Sequence, residues 1–353
     1  GNPTSGGIWA PDLQYDNGIF YLVYTDVKTK KGRYYNNHNY LVYTDDIRGE
    51  WSEPVYLNSS GFDPSLFIDS DGKKYLVNMR NGFKGILLQE YDSEQNCLIG
   101  EVKNIFTGTE IGYTEGPHIY HIGNWYYLIV AEGGTGYGHC VTMSRANSVW
   151  GPYEVDPENP LLGSRMDETG DLQKCGHADL FSTQYGEWYM VHLCARPGNG
   201  EKACILGRET SLQKVNWNKE GWLRLSHGGT IAARFIEEPK HIKEHSFIQQ
   251  EEKDDFNSEV LGEHYVCPRV PLGKHADLHT RKGFLRLYGQ ESMNSLHHVS
   301  FVAVKQSEHL AEAELLMEFN PRHPEQLAGL SYMYDAMNFY IFGKTVDEDG
   351  RPI

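Results

Sequence analysis

The sequence predicts an all-β protein, a propeller of repeated four-stranded units followed by a second domain. Three observations carry this. Short aromatic and β-branched runs recur along the first two thirds, each just after a turn signal. No stretch sustains a 3.6-residue apolar period, so helices are few. A motif aligned on a proline-like position also repeats, at 11, 64, 117 and 178, spacings of 53, 53 and 61.

The strand runs follow in order. Ile19 to Tyr24 comes after Asn17-Gly18, and Lys74 to Asn78 after Asp71-Gly72. Trp125 to Val130 comes after Gly123-Asn124, and Glu187 to His192 after Tyr185-Gly186. The repeated motif reads Ala10-Pro11-Asp12-Leu13, Asp63-Pro64-Ser65-Leu66, Gly116-Pro117-His118-Ile119 and His177-Ala178-Asp179-Leu180. Two units later carry a Trp-Ser-Glu-Pro or Trp-Gly-Pro-Tyr corner, at Trp51 and Trp150. A four-stranded unit repeating every ~40–50 residues is how a propeller blade reads. Four units are visible.

Composition separates two domains. All seven tryptophans lie before residue 223, whereas ten of the sixteen histidines lie after it. The polar stretch from Glu237-Glu238-Pro239 to Asp254-Asp255 reads as the connector, which gives a propeller over 1–236 and a linker with the second domain over 237–353. Hydrophobic residues at 39% and charged residues at 23% suit packed cores rather than a disordered chain. No run of 18 apolar residues occurs, which argues against a membrane-spanning helix. The net charge of −16 repels phosphate backbones and argues against nucleic acid as a partner. Six cysteines without a C-x-x-C pair read as reduced, mostly buried thiols, which favours a cytoplasmic location. The opening Gly1 and the closing Asp347-Glu348-Asp349-Gly350 turn read as cut ends, an expectation of truncation at both.

The inner strand of each blade lines the central channel, so its side chains converge on the axis. Here that strand carries Asp12, Asp63, Glu115, His118, His177 and Asp179. One polar residue there could be a turn cap. Four blades repeating the habit point instead to chemistry. Converging carboxylates with tryptophans nearby are what glycoside hydrolysis needs, one to protonate the leaving oxygen and one to activate water.

The motifs Gly7-Ile8-Trp9-Ala10-Pro11-Asp12-Leu13, Ser60-Gly61-Phe62-Asp63-Pro64-Ser65-Leu66-Phe67, Thr114-Glu115-Gly116-Pro117-His118-Ile119-Tyr120 and Leu206-Gly207-Arg208-Glu209-Thr210 resemble family 43 glycoside hydrolases. The likeness is greatest to the β-xylosidase branch, to which Tyr56 to Asp63, Lys74 to Met79, Lys253 to Phe256 and Leu285 to Gly289 are also similar. The resemblance implies a five-bladed propeller, its first blade missing from this chain, followed by a partial lectin-like β-sandwich. It implies Glu115 as general acid and Asp63 as the carboxylate that orients the acid and raises its pKa. Arg208 falls on a sugar-binding arginine, Trp9 on an aromatic of the sugar pocket, and His177 on a channel histidine that in some relatives faces calcium. Calcium prefers oxygen ligands, so one imidazole leaves that cofactor open.

One departure matters. The family's general base lies in an Asp-Pro-Ser or Asp-Pro-Thr context on the first blade, and no such motif precedes Trp9 here. Asp12 and Asp179 follow the aligned position by one, and strand alternation would turn both side chains to the opposite face. The chain on its own is therefore expected to be inactive. The leading function is an inverting, exo-acting β-xylosidase on xylo-oligosaccharides. An α-L-arabinofuranosidase acting on arabinose-substituted oligosaccharides is the close alternative, and a non-catalytic sugar-binding propeller is the alternative from another class. A sialidase-type propeller would need an arginine cluster, and only Arg208 lies near a plausible pocket strand. The oligomeric state, including a homo-oligomer, stays open.

Overall fold

The computed structural model describes residues 6–29, 36–165, 167, 170–198, 203–247 and 251–353. It divides into two compact units, the first closing at Lys243 and the second opening at Glu244. In the first unit, four antiparallel sheets follow one another along the chain. Blade one contains β1 (Gly7–Asp16), β2 (Ile19–Thr29), β3 (Asn36–Thr44) and β4 (Val55–Asn58). Blade two contains β5 (Ser65–Ile68), β6 (Lys74–Met79), β7 (Ile86–Asp92) and β8 (Cys97–Phe106). Blade three contains β9 (Glu115–Ile122), β10 (Trp125–Glu132), β11 (Cys140–Ala146) and β12 (Glu154–Val155), with β13 (Leu162–Gly163) also paired to β11. Blade four contains β14 (Gln173–Ser182), β15 (Trp188–Ala195), β16 (Glu209–Trp217) and β17 (Leu223–Leu225). The described residues hold four blades, where the resemblance implied five.

Local chemistry explains the blade plan. Asp16 pairs with Ile19, so Asn17 and Gly18 form a two-residue loop. Both take positive φ, 49° and 88°, the backbone of a type I′ turn that matches strand twist. The repeated motifs fall on β1, just before and into β5, on β9 and on β14, each the first strand of its sheet. The Trp51 and Trp150 corners lie just before β4 and β12, the last strands of their blades. In β2, Tyr21, Val23, Thr25 and Val27 are buried in strict alternation.

Three hydrophobic cores fill the spaces between successive blades. Val23, Leu41, Leu66 and Leu76 join blades one and two. Phe67, Val77, Leu88 and Leu128 join blades two and three, and Ile129, Met143, Met190 and Val215 join blades three and four. At roughly 1.5–3 kcal/mol for each large apolar side chain fully buried, these interfaces hold successive blades face to face. All six cysteines are free, three of them buried. Burial pushes the thiols of Cys140 and Cys175 up to about 12, which makes them packing groups rather than nucleophiles.

The second unit is built from short ladders. β18 (Tyr265–Val266) pairs with β21 (Ala303–Val304), and β19 (Ala276–Asp277) with β20 (Arg286–Leu287). The longest is a hairpin of β22 (Ala328–Asp335) and β23 (Asn338–Lys344), on which Tyr334, Tyr340 and Phe342 are exposed. A single 3₁₀ turn, Gly273–His275, is the helical element among the described residues. Among the described residues, no helix is long and apolar enough to cross a membrane.

Candidate active site

Glu115 and His177 on the inner strands β9 and β14, Asp63 just before β5 and Arg208 just before β16 come together. Glu115 opens β9 and is buried, with 6% of its surface exposed. Asp63 lies two residues before β5, also buried, in the left-handed backbone region at φ 52°. Its Oδ2 accepts a hydrogen bond from the Gly116 N–H at 3.1 Å, which ties blade two to the backbone beside Glu115. His177 Nδ1 stands 4.0 Å from the same oxygen.

The proton on Glu115 has a physical cause. Burial is the larger influence on Glu115 and the nearby Asp63 charge the second; together, against the opposing Arg208, they push it up to about 8. Burial also raises Asp63, against His177, the Gly116 N–H, His118 and Arg208. Two neighbouring carboxyls do not both ionise cheaply. Asp63 has a backbone donor and faces an imidazole, whereas nothing among the described residues donates to the Glu115 carboxyl. The proton therefore settles on Glu115, the state a general acid needs.

Gly116 makes this close approach feasible. Its φ is +55°, and a Cβ there would lie 2.8 Å from His177 Cδ2 and Nε2. Gly116→Ala is expected to displace His177 and the hydrogen bond to Asp63, costing about 1–3 kcal/mol of stability. Chemical denaturation measures that cost, and an unchanged midpoint would show that the ring yields freely.

Arg208 sits at the mouth, exposed, one residue before β16. Its neighbour Glu209 is gripped by Arg196 through two bonds of 2.9 Å, which fixes the entry to the strand. The Arg208 guanidinium itself makes no hydrogen bond or ion pair among the described residues, leaving its forked donors for hydroxyls. Trp9 is half-buried and stands edge-on to Phe62, with ring centres 5.4 Å apart. The ring contacts continue from Phe62 to Phe83 at 5.9 Å and from Phe83 to Tyr113 at 5.4 Å. Phe83 and Tyr113, for which the sequence holds no motif, are exposed, and Tyr113 lies two residues before Glu115.

Asp12, His118 and Asp179 form a second group. His118 Nδ1 stands 3.8 Å from Asp12 and 3.9 Å from Asp179. Asp12 accepts from the Leu66 N–H and from Gln14, both at 2.9 Å, and Tyr120 donates to Asp179. Alternation had turned Asp12 and Asp179 away from the channel group; bulges bring them to His118 instead. β1 breaks register between Trp9 and Asp12, and β14 breaks it between Gln173 and Gly176 and again before Ala178. The His118 and His177 rings are 6.4 Å apart, so the two groups adjoin. The charged groups that act on Glu115 are Asp63 and Arg208, and Asp12 is not among them. Among the described residues, three potential metal-ligand atoms converge at Asp12, His118 and Asp179 and not around His177. The residues at His177 alone do not make a calcium cage.

Residues 1–223 match the model of glycosyl hydrolases family 43. The chain belongs to this family. Residues 253–353 match the β-xylosidase C-terminal concanavalin A-like domain, a β-sandwich fold. The family 43 chain is 44% identical to a β-xylosidase of Bacillus subtilis, over 99% of this chain and 68% of that protein. It is 34% identical to a non-reducing end α-L-arabinofuranosidase of Bacteroides ovatus, over 96% of this chain and 63% of that protein. A crystal structure of xylan β-1,4-xylosidase from Bacillus halodurans superposes with a TM-score of 0.92 at 46% identity, covering 100% of this chain and 69% of that one. The chain thus spans about two thirds of the length of these relatives.

Proposed function

We propose that this family 43 glycosidase is an inverting, exo-acting β-xylosidase that removes xylose from xylo-oligosaccharides. The observation that carries the reading is the buried Glu115 carboxyl held protonated up to about 8, with Asp63 beside it and Arg208 free at the mouth. Glu115 donates its proton to the glycosidic oxygen as the bond to the sugar breaks. Asp63 holds the Gly116 backbone and keeps the acid protonated. Arg208 binds hydroxyls of the sugar, Trp9 covers an apolar sugar face, and His177 packs beside Asp63 as part of the pocket wall. Inversion also needs a base on the opposite sugar face, about 6.5–9.5 Å from the acid. No described residue is assigned that role here. The five-bladed propeller belongs to this proposal, with four of its blades among the described residues.

The B. ovatus relative favours an α-L-arabinofuranosidase as the second reading. The protein expressed from its whole reading frame should cleave 4-nitrophenyl β-D-xyloside faster than the α-L-arabinofuranoside. Its first product from xylobiose should be α-xylose by NMR. A reversed preference selects the second reading; β-xylose as first product excludes inversion. No cleavage of either glycoside, with sugar binding retained, returns the function to a non-catalytic propeller.

A further inference from the structure

The loop that delivers the acid is anchored by a carboxylate outside the pocket. Glu132 ends β10 and is fully buried, at 0% exposure. Its Oε1 accepts from the Thr109 N–H and from the Thr114 hydroxyl, both at 2.8 Å. Its Oε2 accepts from the Thr109 hydroxyl at 2.6 Å and the Thr142 hydroxyl at 2.9 Å. Four donors fill a buried carboxylate that would otherwise be costly to hide from water.

Three of those donors belong to the segment between β8 and β9, which crosses from blade two to blade three and ends at Glu115. Thr109 and Thr114 are therefore held at one point, and the turn between them closes on itself. Gly112 N–H donates to Thr109 O at 3.2 Å, and Gly133 N–H donates to Gly112 O at 2.8 Å. The neighbouring Gly108 has no room for a side chain, since a Cβ would lie 2.0 Å from Thr114 Oγ1. Thr142, on β11, ties the same carboxylate to the next strand. Ala131, next to Glu132, pairs with Glu115 across the sheet. The clamp and the acid thus share one short piece of β10.

We propose that Glu132 is a positioning residue for catalysis, clamping the 107–114 loop through Thr109 and Thr114 so that Glu115 stays buried against Asp63. The inference rests on Glu115 being the acid. Loosening the clamp moves the Glu115 carboxyl toward water and away from Asp63, and both changes favour its ionisation. The groups that face Glu115 are Asp63 before β5, Arg208 before β16 and His177 on β14 beside Gly116, and none of them is altered by a change at Thr114.

The test compares Thr114→Val, Thr114→Ser and Glu132→Gln in the protein expressed from its whole reading frame. Rates on xylobiose and on an activated aryl xyloside are followed against pH, with melting temperatures measured alongside. Thr114→Val is near-isosteric and loses one hydroxyl. It should slow xylobiose cleavage by roughly tenfold, and Glu132→Gln by up to about a hundredfold, as expected for a misplaced reacting group. The aryl xyloside should lose less, and the alkaline limb should move to lower pH. Thr114→Ser, which keeps the donor, should retain the parental limb. A lower melting temperature with an unmoved limb and equal losses on both substrates would make Glu132 merely structural and overturn the proposal. Should Glu132→Gln fail to fold, Thr114→Val and Thr114→Ser decide alone. If Glu115→Gln itself shows no dependence on the leaving group, the reading of the acid fails first and this inference falls with it.

Discussion

Glu115→Gln is expected to slow hydrolysis of xylobiose by about 10³-fold while leaving binding of the disaccharide close to normal. A sugar alkoxide is a poor leaving group and needs a proton as the bond breaks. The amide has none to give. An activated aryl xyloside leaves without much protonation, so its loss should be far smaller. The substitution also removes the group that is pushed up to about 8. Its sign is unambiguous: the acid works while protonated, so the native rate falls as pH rises through that value. In Glu115→Gln the alkaline limb should therefore vanish on the aryl substrate. Steady-state rates on both substrates from pH 5 to 10 check both parts. Equal losses, or a limb that survives, would take Glu115 out of the acid's role.

The fold was legible because blade positions recur. The repeated motif marks the first strand of each blade, and Asn17-Gly18 marks a turn that admits two positive φ values. Carboxylates within those motifs could be read as channel groups for the same reason. The direction of individual side chains was less legible. Period-two alternation assumes an unbroken ladder, and Ala10 at φ 34° and His177 at φ 50° sit where β1 and β14 bulge. That is how Asp12 and Asp179 come to face His118. Glu132 gave no signal at all. It stands at a strand end followed by Gly133-Gly134, and its partners are three scattered threonines. The inter-blade crossing brings Thr109 and Thr114, and the β10–β11 ladder brings Thr142, to one carboxylate.

Asp63→Asn should separate the two contributions to the acid's proton affinity. The asparagine keeps the shape and an oxygen that can accept from the Gly116 N–H, but it carries no charge. Asp63 is the second-largest cause of the rise in Glu115, after burial. Without that charge the acid ionises more readily, so the alkaline limb should move to lower pH. Burial remains, so the limb should settle above the ordinary glutamate value of 4.5 and below about 8. The maximal rate on xylobiose should fall as well, by about 10²-fold, because His177 loses the charge it faces and the pocket wall loses its register. Activity on the aryl xyloside should be less affected. The pH profile discriminates between roles that the rate alone would confuse. A carboxylate that only capped the turn before β5 would lower stability and leave the limb where it was. A limb that stayed fixed or moved upward in a folded Asp63→Asn protein would assign the raised acid to burial alone.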